Sequence, residues 1–268
     1  MAKSTKYRSI FLSDIHLGTR GCQADTLLDF IKHNDAEKIY LVGDIVDGWR
    51  LKKSWYWPQA HNDVVQKLLR KARKGSEVIF IPGNHDEFLR EYIGTHFGGI
   101  EVRTEAIHEA GDGRRYLVLH GDQFDCVVKY AKWLAVLGDW AYTVLLGINT
   151  YLNIARRKLG FSYWSLSAYL KMKAKNAVQY IASFEEAVAH EAKSQGVDGV
   201  ICGHIHHAEI RDIDGMVYMN DGDWVESCTA LVEHSDGQFE IIRWAEEHAK
   251  ETGKLAPQSV SDTNKAAA

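Results

Sequence analysis

The chain has 268 residues, with 32 Lys+Arg against 36 Asp+Glu, a formal charge of −4 at neutral pH. At 46% hydrophobic and 25% charged it is composed like a globular protein, which excludes a mostly disordered chain, a collagen-like repeat and a polytopic membrane protein. The charge balance also speaks against a nucleic-acid surface spread over the whole molecule. Cys22, Cys126, Cys202 and Cys228 lie far apart and form no CxxC pair. With no secretory signal at the start, reduced thiols in the cytoplasm are the expectation.

Taken in chain order, Tyr7–Ser13 reads as a buried strand ending in SDIHLG. A helix follows over Gln23–His33, with Leu27, Leu28, Phe30 and Ile31 on its apolar side. Lys38–Val42 is a second strand ending in GDIVDGW, and His61–Lys74 an amphipathic helix stopped by Gly75. Glu77–Ile81 is a third strand, ending in PGNHDEF. Three strand–helix alternations predict an α/β layered fold with a largely parallel sheet. Short strands are expected at Glu101–Thr104 and Arg115–Leu119, the latter running into HGDQFD. From Cys126 to Gln195 the pattern is helical, without Pro and with few Gly. Asp198–Cys202 is a strand ending in GHIHH. Ala208–Ile213, Val217–Asn220, Cys228–His234 and Phe239–Trp244 alternate with turns and read as an antiparallel meander. From His248 on, the chain is polar and aperiodic, and a disordered tail over 248–268 is expected.

Five predicted strands thus end in Asp, Asn or His: Asp14 and His16; Asp44 and Asp47; Asn84, His85 and Asp86; His120 and Asp122; His204, His206 and His207. In layered α/β folds ligands bind at the carboxyl ends of strands. Any one such motif is commonplace, and a lone loop histidine is more often solvated than ligating. Five in succession, four with an adjacent glycine that permits close backbone approach, point to one assembled site. Mixed carboxylate, amide and imidazole donors suit Mn²⁺, Fe²⁺, Zn²⁺ or Co²⁺. The seven candidates Asp14, His16, Asp44, Asn84, His120, His204 and His206 exceed the four groups of one tetrahedral ion. They fit two ions sharing a carboxylate, an arrangement that clamps a phosphoryl group during in-line displacement. Asp86 and Asp122 are read as turn residues bonded to backbone. The histidines off these loops, including His61 and His108, are read as ordinary surface or core residues.

The order DxH, GDxxD, GNHD, H, GHxH resembles the calcineurin-like metallophosphoesterase family over roughly Tyr7–Trp244, apart from the helical segment. The resemblance implies a four-layer αββα sandwich with a dinuclear site. It implies that Asp14, His16 and His206 hold one metal, that Asp44 bridges, and that Asn84, His120 and His204 hold the other. His85 then has the position of the histidine that stabilises the phosphate or protonates the leaving group, and Asp47 that of the carboxylate orienting it.

The segment 126–176 carries eight Lys or Arg and one acid, Asp139, a local charge of +7 that leaves −11 for the rest. It also holds nine aromatic residues. Its uncharged runs are too short to cross a bilayer. An apolar, aromatic stretch flanked by basic residues suits a lipid headgroup interface. A helical hairpin packed on the core or on a second subunit fits as well, whereas a nucleic-acid surface would be polar throughout.

A helical insertion after HGD is similar to one branch of the family, the UDP-2,3-diacylglucosamine pyrophosphatases of lipid A synthesis. That branch uses Mn²⁺, covers its site with a helical lid and works at the inner face of the cytoplasmic membrane. The resemblance implies a core of 1–125 and 177–247 with a lid at 126–176, hydrolysis to UMP and a lipid monophosphate, and a cytoplasmic or peripheral inner-membrane location. Asn84, His85 and His204 would then touch substrate, with Lys171 and Lys175 of the lid. One position departs from the branch: its GNRD motif reads GNHD here, at His85. The same chemistry on a soluble nucleotide diester or phosphoprotein is the alternative. A non-enzymatic scaffold is disfavoured because no ligand position is lost. A homodimer is compatible with the sequence.

Overall fold

The computed structural model describes residues 5–125 and 167–246, with side chains of the helix that begins at Ser167 described from residue 181. The expectations for 126–166 and for the tail from 248 lie outside the described residues. The chain divides into two compact units, one of Met1–Asp122 with Ala189–Ala268 and one of Gln123–Val188.

In the first unit, β1 (Thr5–Leu12), β2 (Asn34–Val42), β3 (Glu77–Ile81) and β5 (Ile100–Val102) run parallel. β4 (His96–Phe97), β11 (Thr229–Glu233) and β12 (Phe239–Arg243) complete a seven-stranded sheet in the order β12-β11-β1-β2-β3-β5-β4. A second sheet has the order β6-β7-β8-β10-β9, built from β6 (Ala106–Glu109), β7 (Arg115–Val118), β8 (Gly199–Cys202), β9 (Glu209–Ile213) and β10 (Met216–Asn220). The predicted α/β sandwich is therefore present, with two mixed sheets.

Alternation along the strands assigns the faces. Ile10, Leu12, Ile39, Leu41 and Val78 pack with Leu27, Phe30 and Ile31 of α1 (Ala24–His33) and with Val64 and Leu68 of α3 (Gln59–Arg73). Phe11, Tyr40, Val42, Ile79 and Ile81 point the other way and meet Tyr116, Val118, Ile201 and Met219 of the second sheet. Each such fully buried side chain contributes about 1.5–3 kcal/mol. A polar clamp also ties the sheets: Tyr40 and Glu233 of the first lie 3.2 and 2.9 Å from the two ring nitrogens of buried His108 in β6. His108 is thus a core histidine, as its place off the motif loops suggested.

Four details depart from the expected elements. β2 begins at Asn34, because the ladder with β1 starts at Thr5↔Asn34 and overrides the poor strand propensity of NDAE. The short helix α2 (Gly48–Lys53) was not foreseen; it is capped by Asp47, whose Oδ1 accepts from Arg50 N at 2.8 Å. β4 and β6 were likewise missed. The C-terminal strands do not form a single meander. β9–β10 is a hairpin whose β10 pairs parallel with β8, whereas β11 crosses to the first sheet and pairs antiparallel with β1 and β12. Burial explains this: all five residues of β11 are buried, the mark of a central strand and not of one with a wet face.

A long helix, α4, spans Ser167–Ser194. Among the described residues no helix is long and apolar enough to cross a membrane.

Candidate metal centre

The parallel strands end on one edge, so the loops after β1, β2, β3, β7 and β8 converge there. The first two are laced together: Asp14 N donates to Gly43 O (3.0 Å), His16 N to Asp44 O (2.8 Å) and Leu17 N to Ile45 O (2.9 Å). The third is fixed by Asp86. Its Oδ1 accepts from Gly83 N at 2.6 Å and its Oδ2 from Ile45 N at 2.8 Å, so one carboxylate aligns the GNHD loop with the GDIVD loop. Burial and the nearby Asp44 push the Asp86 carboxyl up to about 6. Backbone bonding was expected for Asp86, and it reaches well beyond its own turn. Asp122 differs from expectation: its carboxylate pairs with the Arg90 guanidinium at 2.7 and 2.8 Å. Both oxygens accept from the one Arg90 Nη2, a charge-assisted contact stronger than a bond to a neutral backbone amide.

The close approach depends on glycine. A Cβ at Gly83 would collide with Asp44 Oδ1 and stand 2.7 Å from His120 Cδ2; one at Gly203 would collide with Ser13 and stand 2.7 Å from Asp14 Oδ2. Five of the seven proposed ligands have left-handed backbone: Asp14 (φ 49°), His16 (54°), Asp44 (54°), His204 (71°) and His206 (53°). Left-handed φ is uncommon outside glycine, Asp and His are among the residues that adopt it most readily, and such outliers cluster at functional sites.

The side chains form overlapping groups in which one donor atom from each residue lies within 4.8 Å of the others: Asp14, His16 and His206; Asp14, Asp44 and His120; His16, Asp47 and His85. Asp14 Oδ1 lies 3.2 Å from His206 Nε2 and 3.9 Å from His16 Nε2. Asp44 Oδ2 lies 3.5 Å from His120 Nε2, 3.9 Å from His16 Nε2 and 4.0 Å from His85 Nε2. Asp14 is common to the first two groups, and Asp44, a member of the second, lies 3.9 Å from His16 of the first. His204 is placed by its N–H, which donates to Asp14 Oδ2 at 2.8 Å, and its ring lies 5.1 Å from that of His120.

The remote ring nitrogens are held, which fixes the near ones. His120 Nδ1 donates to Val42 O at 2.8 Å. Asp47 Oδ2 is hydrogen-bonded to His16 Nδ1 at 3.2 Å and lies 3.1 Å from His85 Nδ1, near enough for an ion pair but not aligned as a hydrogen bond. A carboxylate or carbonyl behind a histidine is the common support of a metal ligand. His85 is at the rim, a quarter exposed, with the Trp49 ring 4.3 Å from its own.

Whether cations fit can be judged from the buried atoms. Asp14 Oδ1, His16 Nε2, Asn84 Oδ1 and His120 Nε2 are all buried without a hydrogen-bond partner. Buried polar atoms are normally satisfied; oxygen and nitrogen donors left bare in one neighbourhood match what divalent ions require. The titration behaviour agrees. Burial alone would raise Asp14 and Asp44, yet His206 and His120 hold Asp14 low and His120 holds Asp44 low. Burial likewise opposes a charge on His120 and His206, but Asp44 and Asp14 push them up to about 10 and about 8. The acids thus attract positive charge at this spot, and protons serve where no cation does.

Lys171 and Lys175 lie on α4, their side chains outside those described. His207 is exposed, 3.7 Å from Glu209 and off the donor groups. A sixth strand end, missed in the sequence, also joins the site: Asn220–Asp223 after β10. Asp221 lies behind Ser13 and Asp14, while Asp223 caps its own turn by accepting from Val225 N at 2.8 Å. The signal was a further Asp-rich strand end, NDGD, which carries no histidine to draw the eye.

The chain is similar to known proteins in both sequence and fold. The sequence profile of the calcineurin-like phosphoesterase family matches residues 7–208. A UDP-2,3-diacylglucosamine hydrolase from Porphyromonas gingivalis is 26% identical over 246 residues, covering 80% of this chain and 89% of the relative. One from Haemophilus influenzae is 24% identical over 252 residues, 88% and 98% of the two chains. Among solved structures, an archaeal phosphodiesterase at 13% identity covers 87% of this chain and 98% of its own, with a TM-score of 0.40.

Proposed function

The chain belongs to the calcineurin-like phosphoesterase family, and from that premise we propose that it is a dinuclear metal hydrolase that cleaves the pyrophosphate of UDP-2,3-diacylglucosamine to UMP and a lipid monophosphate. The convergence of bare, buried donor atoms from Asp14, His16, Asn84 and His120 carries the metal part of this reading. The two hydrolases, matched over most of their length, support the substrate.

In this reading Asp14, His16 and His206 hold one divalent ion, Asn84, His120 and His204 the other, and Asp44 both. The oxygen- and nitrogen-rich set suits Mn²⁺, with Fe, Zn or Co as other occupants. When bound, such ions polarise phosphoryl oxygens and make water a nucleophile at neutral pH. The protein's own part is positioning. Asp47 holds His16 by a hydrogen bond at Nδ1 and faces His85 Nδ1 at 3.1 Å, and the Nε2 of each lies near Asp44. His85 Nε2 at the rim donates to a phosphoryl oxygen or to the departing group. Asn84, His204 and the lid residues Lys171 and Lys175 complete the substrate contacts. The basic, aromatic segment 126–176 receives the acyl chains and rests on the cytoplasmic face of the inner membrane, in a monomer or homodimer.

One observation favours a second substrate class, a soluble nucleotide diester or phosphoprotein: His85 stands where the pyrophosphatase branch has Arg. Imidazole offers a single donor toward phosphate, whereas guanidinium offers a fork. Product analysis by mass spectrometry after incubation with UDP-2,3-diacylglucosamine and Mn²⁺ decides. UMP and the lipid monophosphate are expected; unchanged substrate, alongside turnover of a soluble diester, overturns the lipid assignment.

A further inference from the structure

Asp221 is an acid that the metal-ligand set does not use. It is fully buried, and no basic side chain pairs with it among the described residues. Its Oδ1 lies 2.6 Å from Ser13 Oγ, which lies 2.6 Å from Asp14 Oδ2 and 3.0 Å from Gly222 O. A serine hydroxyl has one hydrogen to donate. Two carboxylate oxygens at 2.6 Å from one hydroxyl therefore leave that contact one hydrogen short, unless one of the acids brings its own.

The surroundings decide which acid that is. Asp14 faces His206 at 3.2 Å, and its Oδ2 also accepts from His204 N at 2.8 Å, an environment that keeps it ionised. Apart from Ser13, Asp221 has only its own N–H and the more distant His120 to favour a charge, and its Oδ2 is buried with no hydrogen-bond partner. A bare oxygen costs far less on a neutral acid than on a carboxylate. Burial and the charge of Asp14 also hold the Asp221 carboxyl well above the ordinary carboxylate range.

We propose that Asp221 is a neutral carboxylic acid, and that the directed chain from its O–H to Ser13 Oγ and from the Ser13 O–H to Asp14 Oδ2 orients Asp14 so that Oδ1 alone faces the metal donors. Oδ2 is then occupied by Ser13 and the His204 N–H, and Asp14 is restricted to a single ligating oxygen. Asp221 is a positioning residue acting through Ser13. Its purpose rests on the dinuclear reading above; its protonation does not. A neutral acid also keeps a further negative charge away from the ions, which an ionised Asp221 would add.

The test compares wild type with Asp221→Asn, Asp221→Leu and Ser13→Ala. Infrared difference spectra of wild type against Asp221→Asn at neutral pH should show the loss of a protonated-carboxyl C=O band. Titration of the metal-free proteins with Mn²⁺ should leave Asp221→Asn, whose amide N–H₂ still donates to Ser13, within about threefold of wild type. Ser13→Ala and Asp221→Leu should bind roughly 10–100-fold more weakly, the usual penalty for losing the support behind a ligand. The proposal is overturned if no protonated-carboxyl band is lost, or if Asp221→Asn binds as poorly as Asp221→Leu. The spectrum needs no metal. Wild type that took up no Mn²⁺ would overturn the metal reading and leave the band to decide the acid. If the Leu or Ala variant does not fold, Asp221→Asn supplies both measurements.

Discussion

Loading the metal-free protein with divalent ions at pH 7 should expel about two protons. The number follows from the site. A histidine ligates only as neutral imidazole, so each protonated histidine must lose a proton on binding. His120 is held up to about 10 and His206 up to about 8, so at pH 7 both carry theirs. Burial keeps His16 below its ordinary value despite Asp14 and Asp44, so it adds little. Asp14 and Asp44 are already ionised and add none. The count should drop to about one near pH 9, where His206 is already neutral. Calorimetric titration with Mn²⁺ in buffers of different ionisation enthalpy reads it directly, as the slope of observed heat against buffer enthalpy. The sign for stability follows from the same shifts. Both histidines lie above their unfolded value of about 6.5, so their contribution to the metal-free fold is complete below that pH. It declines as pH rises through about 8 and then about 10. Chelated protein should therefore lose denaturant resistance over that window while loaded protein does not. A proton count near zero at pH 7 would refute the claim that His120 and His206 sit protonated against Asp44 and Asp14.

Four substitutions probe the remaining parts. Asp44→Ala or Asn84→Ala should abolish metal-dependent hydrolysis of bis-p-nitrophenyl phosphate, and activity surviving in chelator would contradict the ligand assignment. Gly83→Ala places a methyl against Asp44 and His120; it should weaken Mn²⁺ uptake about tenfold or more, read by metal content after dialysis, while circular dichroism stays as in wild type. Asp86→Ala strips the acceptors from Gly83 N and Ile45 N. At about 1–3 kcal/mol for each of the two orphaned buried donors, urea unfolding should show a loss of roughly 2–6 kcal/mol, and a loss below about 0.5 would deny Asp86 its role as the tie between loops.

What the sequence made legible and what it hid share one physical origin. Asp14, His16, Asp44, Asn84, His120, His204 and His206 could be read because each is a donor beside a strand end, and the glycines at Gly43, Gly83 and Gly203 announced close approach. The same residues have a second property that residue type alone only suggests. Asp and His tolerate left-handed φ better than most side chains, and five of the seven adopt it. A left-handed residue costs about 1–2 kcal/mol, so a loop of such residues is held only by bonds from elsewhere. Here those come from the pairing of the first two loops and from Asp86. Support of this kind is long-range and leaves no local pattern. Asp86 looked like a turn residue because its partners at Ile45 and Val46 are about forty positions away. Asp221 looked like nothing, because its partner Ser13 is 208 positions away. The C-terminal strands were misassigned to one meander for the same reason, since β11 takes its place from β1 and not from its neighbours in sequence. Donors are legible one residue at a time. The residues that hold those donors in place are defined by pairs, and pairs become visible only when the two sheets are assembled.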